Sequence, residues 1–339
     1  MKILVTGAKG FIMGYVIEQL LQQGHEVVGI DNLSKYGPVE KSYDSHPNYR
    51  FVFGDAKDVD LLKKELQGCD HFILGAAMIG GISYFHKFAY DLFAENERIT
   101  AASFDAAIWA HKNQQLKKIT VLSSSMVHES TNKWPSKEGD EFTIPPPLST
   151  YGFQKLATEY WAKGAWEQYQ LPYTILCPFN CVGTGEARAR TDVEVMSGNV
   201  SLAMSHVVPD LVQKILKGQD PLHILGSGDQ IRHYTYGGDL ARGIVTSLES
   251  KAALNESFNL STPTSTTVKE LAQMIWEKTG HTTPLSFVSD PAFEYDVQKR
   301  IPDVSKAKDL MGFSADTSLD KALDEIIPWI SDMIKQGKM

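Results

Sequence analysis

The stretch Lys2-Ile3-Leu4-Val5-Thr6-Gly7-Ala8-Lys9-Gly10-Phe11-Ile12 combines a short apolar run with two glycines. An amphipathic segment over residues 11–23 follows, and it ends at Gly24. This order predicts a strand, a glycine turn and a helix. Glycines let a backbone approach a pyrophosphate closely, and a helix N-terminus supplies partial positive charge. The turn is therefore typical of a dinucleotide-binding site.

An acidic residue strengthens this interpretation. A second apolar run over residues 26–30 ends at Asp31, about 20 residues beyond the turn, as in βαβ dinucleotide-binding units. We expect Asp31 to accept hydrogen bonds from the adenosine ribose and to repel a 2′-phosphate, which favours NAD over NADP. Lys35 is close enough in sequence to weaken this preference without reversing it. Asp55, after a third predicted strand, is placed to meet the adenine amino group.

Strands and helices alternate through the first half of the chain. We predict further strands at 49–53, 71–77, 118–123 and 173–177, with helices at 91–112 and 151–168. This alternation predicts an α/β fold, a Rossmann-type doubly wound parallel sheet.

A smaller, mostly helical lobe is predicted for the rest of the chain. It contains a ligand-adjacent surface insertion at 183–199, helices at 207–216, 267–279 and 319–334, and a strand at 221–225. We assign residues 1–180 and about 234–260 to the NAD-binding domain. Residues 181–233 and 261–339 are assigned to the substrate-binding lobe.

Composition limits the kinds of partner. The 339 residues suffice for two lobes, and the formal net charge of -8 argues against a nucleic-acid partner while allowing a local basic pocket. Three scattered cysteines indicate a reducing compartment, and Cys177 and Cys181 lack the spacing and histidine partners of a zinc site, so no metal is expected. Without a charged leader or a long apolar run, we expect a cytoplasmic protein that does not bind a membrane.

A tyrosine and a lysine four residues apart form the candidate catalytic pair. Tyr151 and Lys155 fall on one face of the predicted helix at 151–168. Such a pair is often a packed aromatic side chain beside a surface amine. Here the preceding strand ends in Ser123-Ser124-Ser125, and a dinucleotide turn stands earlier in the chain. The ordered set favours catalysis.

The ordered set resembles the extended short-chain dehydrogenase/reductase family, specifically its nucleotide-sugar epimerases and dehydratases. The resemblance runs over nearly the whole chain. Its motifs are Thr6-Gly7-x-x-Gly10-Phe11-Ile12, Pro178-Phe179-Asn180-x-x-Gly183, Gly226-x-Gly228-x-Gln230-x-Arg232-x-Tyr234, and Asp303-Val304-Ser305-Lys306-Ala307-Lys308 with Leu310-Met311-Gly312-Phe313.

The resemblance implies a role for each site residue. Tyr151 is the acid/base, Ser124 polarises the same sugar hydroxyl, and Lys155 lowers the tyrosine pKa and holds the nicotinamide ribose. NAD is the implied cofactor, and the residues implied to bind it are Gly7, Gly10, Phe11, Ile12, Asp31, Asn32, Asp55, Ala56, Ala76, Asn96, Tyr151, Lys155 and Pro178. The residues implied to bind a nucleotide-sugar substrate are Met78, Ser125, Asn180, Arg232 and Arg300. Family members commonly pair through a helix bundle, so a homodimer is implied.

Several positions depart from the family pattern. Met13 replaces the third glycine, with Gly14 one place later, which affects close contact between helix and strand. Cys177 replaces the usual arginine, and His128 replaces a tyrosine, leaving a titratable group near the active site. Met126 occupies the position where the dehydratases, decarboxylases and 3,5-epimerases of the family carry a proton-transferring side chain. Since Met126 cannot move a proton, elimination and C5 deprotonation are disfavoured unless another residue supplies the base.

What remains is 4-epimerisation, which needs only hydride transfer from the sugar and back. The implied substrate is a UDP-hexose or UDP-uronic acid. Decarboxylation stays open, because residues 296–303 resemble the uronate decarboxylases, and residues 76–81 resemble the GDP-sugar 3,5-epimerases. A non-catalytic NAD sensor is a further alternative. His206, His223 and His233 stand alone in the sequence and are interpreted as ordinary histidines.

Overall fold

The computed structural model describes residues 1–190, 194–203, 205–292 and 296–339. Fifteen strands lie within these ranges. They are β1 Lys2–Thr6, β2 Glu26–Asp31, β3 Tyr49–Phe53, β4 His71–Leu74, β5 Lys118–Leu122, β6 Tyr173–Pro178, β7 Cys181–Val182, β8 Glu194–Ser197, β9 Val200–Ala203, β10 Leu222–Leu225, β11 Ile231–Arg232, β12 Thr235–Tyr236, β13 Glu256–Leu260, β14 Thr266–Thr267 and β15 Phe287–Asp290.

Ten α-helices lie in the same ranges. They are α1 Phe11–Gln22, α2 Val59–Glu65, α3 Ile82–Lys87, α4 Ala89–Asn113, α5 Thr150–Tyr169, α6 Val207–Leu216, α7 Gly237–Glu249, α8 Val268–Lys278, α9 Ser305–Met311 and α10 Leu319–Lys335. Short 3-10 helices occur at Ser125–His128, Asp140–Phe142 and Lys251–Ala253. No helix of the described ranges is both long and apolar enough to cross a bilayer.

A seven-stranded parallel sheet forms the centre of the fold, in the order β13-β6-β5-β4-β1-β2-β3. The strand order runs outward from β1 in both directions, which confirms the predicted doubly wound fold. In such sheets the crevice at the carboxyl ends of the strands, where the order reverses, binds ligands. Here that crevice lies beyond the carboxyl ends of β1 and β4.

Both faces of the sheet are covered by helices because its strands are apolar on both sides. Ile3 and Val5 of β1 pack in a cluster with residues of α1 and α7, while Leu4 packs with residues of α2, α4 and α5. Alternate side chains of a strand point to opposite faces, so one short strand serves both layers. Full burial of each such side chain contributes about 1.5–3 kcal/mol to stability.

The chain leaves the sheet after β6 and later returns to it. Helices α6, α8 and α10 pack around a separate apolar cluster beside strand β10. Between β10 and α8 the chain re-enters the sheet layer through α7, whose residues pack with those of α1, and β13, which pairs with β6 as the outermost strand. The sheet edge at β13 is thus supplied by sequence that lies between two segments of the smaller lobe.

Some predicted boundaries differ from the structure. Strand β4 ends at Leu74 rather than at residue 77, because the Gly75 amide turns to the Thr6 hydroxyl, with an N–O distance of 3.2 Å. Helices α2, α3 and α9 were not predicted; each spans fewer than two turns and shows little periodicity. The predicted insertion at 183–199 contains β8, while its residues 191–193 lie outside the described residues.

Candidate active site

The glycine turn between β1 and α1 brings the backbone close to its neighbours. Gly7 has a φ of +73°, and a Cβ atom there would lie 2.8 Å from the carbonyl oxygen of Gly75. A Cβ on Gly10 would lie 2.9 Å from the carbonyl oxygen of Gly7. Helix α1 begins at Phe11, so its first amide groups point toward the crevice. This cradle fits the pyrophosphate of a dinucleotide.

Met13 departs from the glycine pattern. Its side chain fits because the neighbouring residue after β4, Gly75, has no side chain. The Met13 side chain is buried, and a Cβ on Gly75 would overlap the Met13 sulfur. The space that a glycine on the helix normally provides is therefore provided by a glycine after the strand. Close contact between α1 and β4 is retained.

Asp31 is held at the end of β2 by two backbone amides. Its carboxylate accepts hydrogen bonds from the Lys9 amide at 2.9 Å and the Leu33 amide at 2.7 Å. Nearby, the Asn32 side chain donates to Asp55 at 3.3 Å. These acceptors suit the ribose and adenine of NAD. Lys35 is turned elsewhere, because its Nζ donates to the Ile79 carbonyl at 2.9 Å.

A single cavity of about 1150 Å³ joins the two lobes at the crevice. Every residue that the resemblance implied to act in catalysis, cofactor binding or substrate binding lines this cavity. Its volume exceeds that of most small-ligand pockets, which are about 300–1,000 Å³, and is large enough for two extended ligands. The cavity and its glycine cradle fit NAD together with a second nucleotide.

Tyr151 is buried between aromatic and polar neighbours. Its ring stacks on Phe85 with centroids 4.3 Å apart, and Ser124 lines the same cavity. Burial raises the pKa of Tyr151 to about 12, while Ser124 and the charge of Arg300 act in the opposite direction. The phenol therefore keeps its proton in the free protein. The sequence analysis named Arg300 as a substrate-binding residue but did not predict that it lies near Tyr151.

Lys155 lies one helical turn beyond Tyr151. Its Nζ donates to the Leu122 carbonyl at 2.9 Å, and burial lowers the pKa of Lys155 to about 8. The amine thus lies at the carboxyl end of β5, on the cavity wall. Its predicted contact with a ribose remains a prediction.

Met126 and His128 occupy different surroundings. Met126 is buried in an apolar cluster with Tyr84, Phe85 and Tyr151, where it offers no proton-transfer group. His128 is also buried but does not line the cavity, and burial lowers its pKa to about 4. His128 therefore lies near the site, as expected, but does not face the cavity. It lies behind the site, with its Nε2 atom 3.9 Å from Glu141.

Two buried glutamates form a pair behind the catalytic residues. Glu159 lies one turn beyond Lys155 on α5, accepts a hydrogen bond from the Ser123 hydroxyl and is close to Glu141. Burial, followed by the nearby charge of Glu141, raises the pKa of Glu159, and burial also raises the pKa of Glu141. Two neighbouring carboxyl groups with raised pKa values can share one proton. The Cys177 thiol lies near both carboxyls, at the position where the resemblance leads one to expect an arginine.

The glutamate pair makes stability depend on pH. A carboxyl group whose pKa is raised in the folded state stabilises the fold while it is protonated. This contribution is complete when the pH is below the ordinary pKa of 4.5, and it is lost as the pH rises through the pKa of the folded state. We expect Glu159→Gln, which gives Glu141 a neutral donor, to raise the free energy of unfolding at pH 8 by about 1–3 kcal/mol. Urea titrations at pH 5 and pH 8 measure this. Glu167→Gln, at an exposed position on α5, is the matched control, and an equal change in both variants would contradict the shared proton.

The substrate side of the cavity carries positive charge and an open acceptor. Arg232 donates to Asp296 at 3.3 Å, and the charge of Arg232 together with burial lowers the pKa of Arg300 to about 9. The Nε atom of Arg300 and the Oδ1 atom of Asn180 are buried without a partner among the described residues. Two adjacent guanidinium groups, one of them with an unsatisfied Nε–H donor, favour an anionic ligand such as a diphosphate. The Asn180 oxygen is an acceptor and requires a donor group on a ligand.

Asn96 positions the loop that follows β4. Its Oδ1 accepts from the Met78 amide at 2.7 Å, and its Nδ2 donates to the Met78 carbonyl at 2.9 Å. The two bonds fix the peptide backbone at Met78 on the cavity wall. This supports the interpretation of Asn96 as a buried hydrogen-bonding residue near the cofactor.

The three histidines interpreted as isolated are all bonded. The ring of His206 bonds to Glu186, and both residues line the cavity. His223 bonds to Asp290 at 2.8 Å, and His233 bonds to the Thr262 carbonyl at 2.9 Å. Their partners are distant in sequence, so no local pattern could reveal them. The interpretation as isolated residues was wrong for His206, whose partner is a carboxylate within the site.

Comparisons with known proteins agree with this geometry. A profile of the NAD dependent epimerase/dehydratase family matches residues 3–261. A putative UDP-glucose 4-epimerase of Methanocaldococcus jannaschii is 27% identical over 332 residues, covering 97% of this chain and 98% of the relative.

Two solved structures have the same fold. The UDP-glucose 4-epimerase of Thermotoga maritima with UDP-glucose superposes with a TM-score of 0.82 at 26% identity, covering 98% of this chain and 100% of the other. The UDP-glucuronic acid 4-epimerase of Bacillus cereus, in complex with UDP-glucuronic acid and NAD, gives a TM-score of 0.81 at 26% identity, with 98% and 100% coverage.

Proposed function

Because the chain belongs to the NAD dependent epimerase/dehydratase family, we propose that it inverts C4 of a UDP-hexose or UDP-uronic acid through a transient 4-keto intermediate. It is an NAD-dependent nucleotide-sugar epimerase of the extended short-chain dehydrogenase/reductase type. The carbon inverted and the identity of the sugar belong to the proposal. The observation that carries it is the placement of Ser124, Tyr151 and Lys155 on the wall of one cavity beside an apolar Met126.

The proposed mechanism assigns one proton transfer to Tyr151. NAD, when bound, accepts a hydride from C4 and returns it to the other face. Tyr151 takes the proton of the 4-hydroxyl group, and Ser124 holds that oxygen. A phenol with a pKa of about 12 is a weak base, so the charge of Arg300 and the bound cofactor must lower the pKa of Tyr151 during turnover. Lys155 holds the nicotinamide ribose.

The binding roles complete the proposal. Residues 1–180 and about 234–260 bind NAD through the glycine turn, Asp31 and Asp55, and the remainder binds the nucleotide sugar. Arg232, Arg300 and Asn180 bind the diphosphate. The two charges and the unsatisfied Nε donor of Arg300 support this assignment, and Asn180 binds the diphosphate through its side-chain NH2 group.

Association and location also belong to the proposal. A homodimer is supported by exposed aromatic side chains on α4 and α5, namely Tyr90, Phe153, Tyr160 and Trp161. A cytoplasmic location is supported by the three free cysteines. Light scattering coupled to size-exclusion chromatography tests the dimer, and Tyr160→Glu, which places a charge on this surface, is expected to shift the protein to a monomer.

Product analysis tests the reaction. We expect UDP-glucose or UDP-glucuronate to give its 4-epimer, and deuterium placed at C4 to remain in the product, because the hydride returns to the carbon it left. NMR and mass spectrometry measure both. Loss of carbon dioxide from UDP-glucuronate would instead favour decarboxylation, since a 4-keto uronic acid is a β-keto acid. Cofactor binding without turnover on any nucleotide sugar would favour an NAD sensor.

Decarboxylation is the second candidate because of the position of one charge. Arg300 is near enough to Tyr151 for its charge to lower the pKa of Tyr151. In this second candidate Arg300 binds a sugar carboxylate in place of the diphosphate. UDP-glucuronate is therefore the first substrate to test.

A further inference from the structure

A second acid–base pair lies in the cavity that contains Tyr151. Glu186 follows β7 and is buried, and His206 directly precedes α6. The Nδ1 atom of His206 bonds to an Oε1 atom of Glu186. Burial alone would raise the pKa of Glu186, but His206 and Lys35 outweigh it and hold that pKa below its ordinary value. Glu186 is therefore ionised and accepts the hydrogen bond.

This bond determines which nitrogen of the ring is available. When the carboxylate accepts a hydrogen bond from the Nδ1–H group, the neutral imidazole carries its free lone pair on Nε2. The His206 side chain is 41% exposed, and both residues line the cavity. A histidine oriented by a buried carboxylate and open to a ligand cavity has the arrangement of a general base.

The loop after β4 places this pair near the catalytic tyrosine. Met78 and Ile79 pack against the apolar cluster that contains Tyr151. Two residues later in the same loop, a Cβ on Gly81 would overlap the carbonyl oxygen of Ser205, the residue before His206. The loop thus contacts the apolar cluster around Tyr151 through Met78 and Ile79, and it contacts Ser205 through Gly81. Tyr151 and His206 line the same cavity, and the loop contacts the surroundings of both.

We propose that His206, oriented by Glu186, is a second catalytic base that removes a proton from a carbon adjacent to the C4 ketone. This inference rests on the proposed function for the ketone, which makes the hydrogens at C3 and C5 acidic. His206 Nε2 takes the proton, and the electron pair of the C–H bond forms a C=C bond as the ketone becomes an enolate. The protonated His206 ring returns a proton to the same face of that carbon and restores the ketone, so the site exchanges the hydrogen of a second centre although Met126 is inert.

A binding role is the competing explanation. A protonated His206 beside Glu186 would be suited to hold a phosphate oxygen of the substrate. Loss of the ring would then weaken substrate binding without changing any proton exchange at carbon. Loss of His206 therefore lowers the rate of proton exchange if His206 is a base, and lowers the affinity for the substrate if His206 binds a phosphate.

Supplying the ketone directly tests the proposal. The protein is incubated in D₂O with uridine diphosphate 4-keto-6-deoxyglucose, and NMR follows the loss of the H3 and H5 signals above the uncatalysed rate. We expect the wild type to catalyse this exchange and His206→Gln to slow it by about 10²–10⁴-fold at saturating ketone. Glu186→Gln, which removes the orienting charge, is expected to lower the saturated rate without changing the affinity for the ketone.

One further variant separates the possible outcomes. His223 is also paired with a carboxylate, Asp290, but it does not itself line the cavity, so His223→Gln is expected to leave exchange unchanged. Because the ketone is supplied ready-made, exchange needs no hydride transfer, and a failure of 4-epimerisation leaves this test intact. The proposal is overturned if the wild type neither binds nor exchanges the ketone, or if His206→Gln exchanges at the wild-type rate. Weaker binding with unchanged saturated exchange supports the phosphate role instead.

Discussion

Replacement of Tyr151 by phenylalanine is expected to reduce turnover of nucleotide sugars by at least about 10²-fold, the lower range for loss of a general acid–base group. The hydroxyl is the only atom removed, and the ring can keep its stacking on Phe85 at 4.3 Å. Neither lobe loses a packing contact. The variant should therefore fold and bind NAD normally, as measured by thermal denaturation and by the fluorescence of bound NADH.

A control with the same chemical change distinguishes catalysis from packing. Tyr173 is a buried tyrosine of β6 that does not line the cavity. Tyr173→Phe should keep wild-type turnover. Activity of Tyr151→Phe within tenfold of wild type, with folding and cofactor binding intact, would refute the assignment of Tyr151 as the acid–base group.

Replacement of Arg300 by methionine is expected to have opposite effects on binding and on stability. The guanidinium group faces the cavity beside Arg232, and its Nε atom is buried without a partner among the described residues. Loss of charge-assisted hydrogen bonds to a diphosphate should weaken UDP binding by about 10–100-fold, equivalent to roughly 1.5–3 kcal/mol. Loss of a repelled, poorly satisfied charge should raise the unfolding free energy of the free protein by about 1–2 kcal/mol.

Calorimetric titration with UDP and denaturation without ligand measure the two effects. Lys299→Met, at the neighbouring exposed position, is the matched control and should change neither quantity greatly. A variant that is destabilised while still binding UDP would show that Arg300 is a structural residue. The prediction requires that Arg300→Met both weakens UDP binding and raises the free energy of unfolding.

Local spacing was sufficient to predict the centre of the site. Tyr151 and Lys155 are four residues apart on α5, and Gly7 and Asp31 lie in one βαβ unit, so a single sequence displays their relation. The fold class followed for the same reason, because alternating strands and helices leave periodic patterns. The structure places these predicted residues around one cavity.

Contacts between distant segments could not be predicted in this way. Arg300 reaches Tyr151 from the other end of the chain, and Glu186 meets His206 only after the chain has turned back at β8 and β9. The compensation of Met13 by Gly75 likewise depends on the packing of a helix on a strand. Such pairs arise from tertiary structure, and a single sequence carries no periodic signal for them.

The late return of the chain to the sheet has a consequence for synthesis on the ribosome. Strand β6 has buried, apolar residues, and its partner β13 is translated only after α6 and α7. Until then a nascent chain carries β6 as an unpaired edge, which is prone to pair with other chains. We expect ribosome-bound intermediates of this length to engage chaperones, and release from them to coincide with the emergence of residues 256–260.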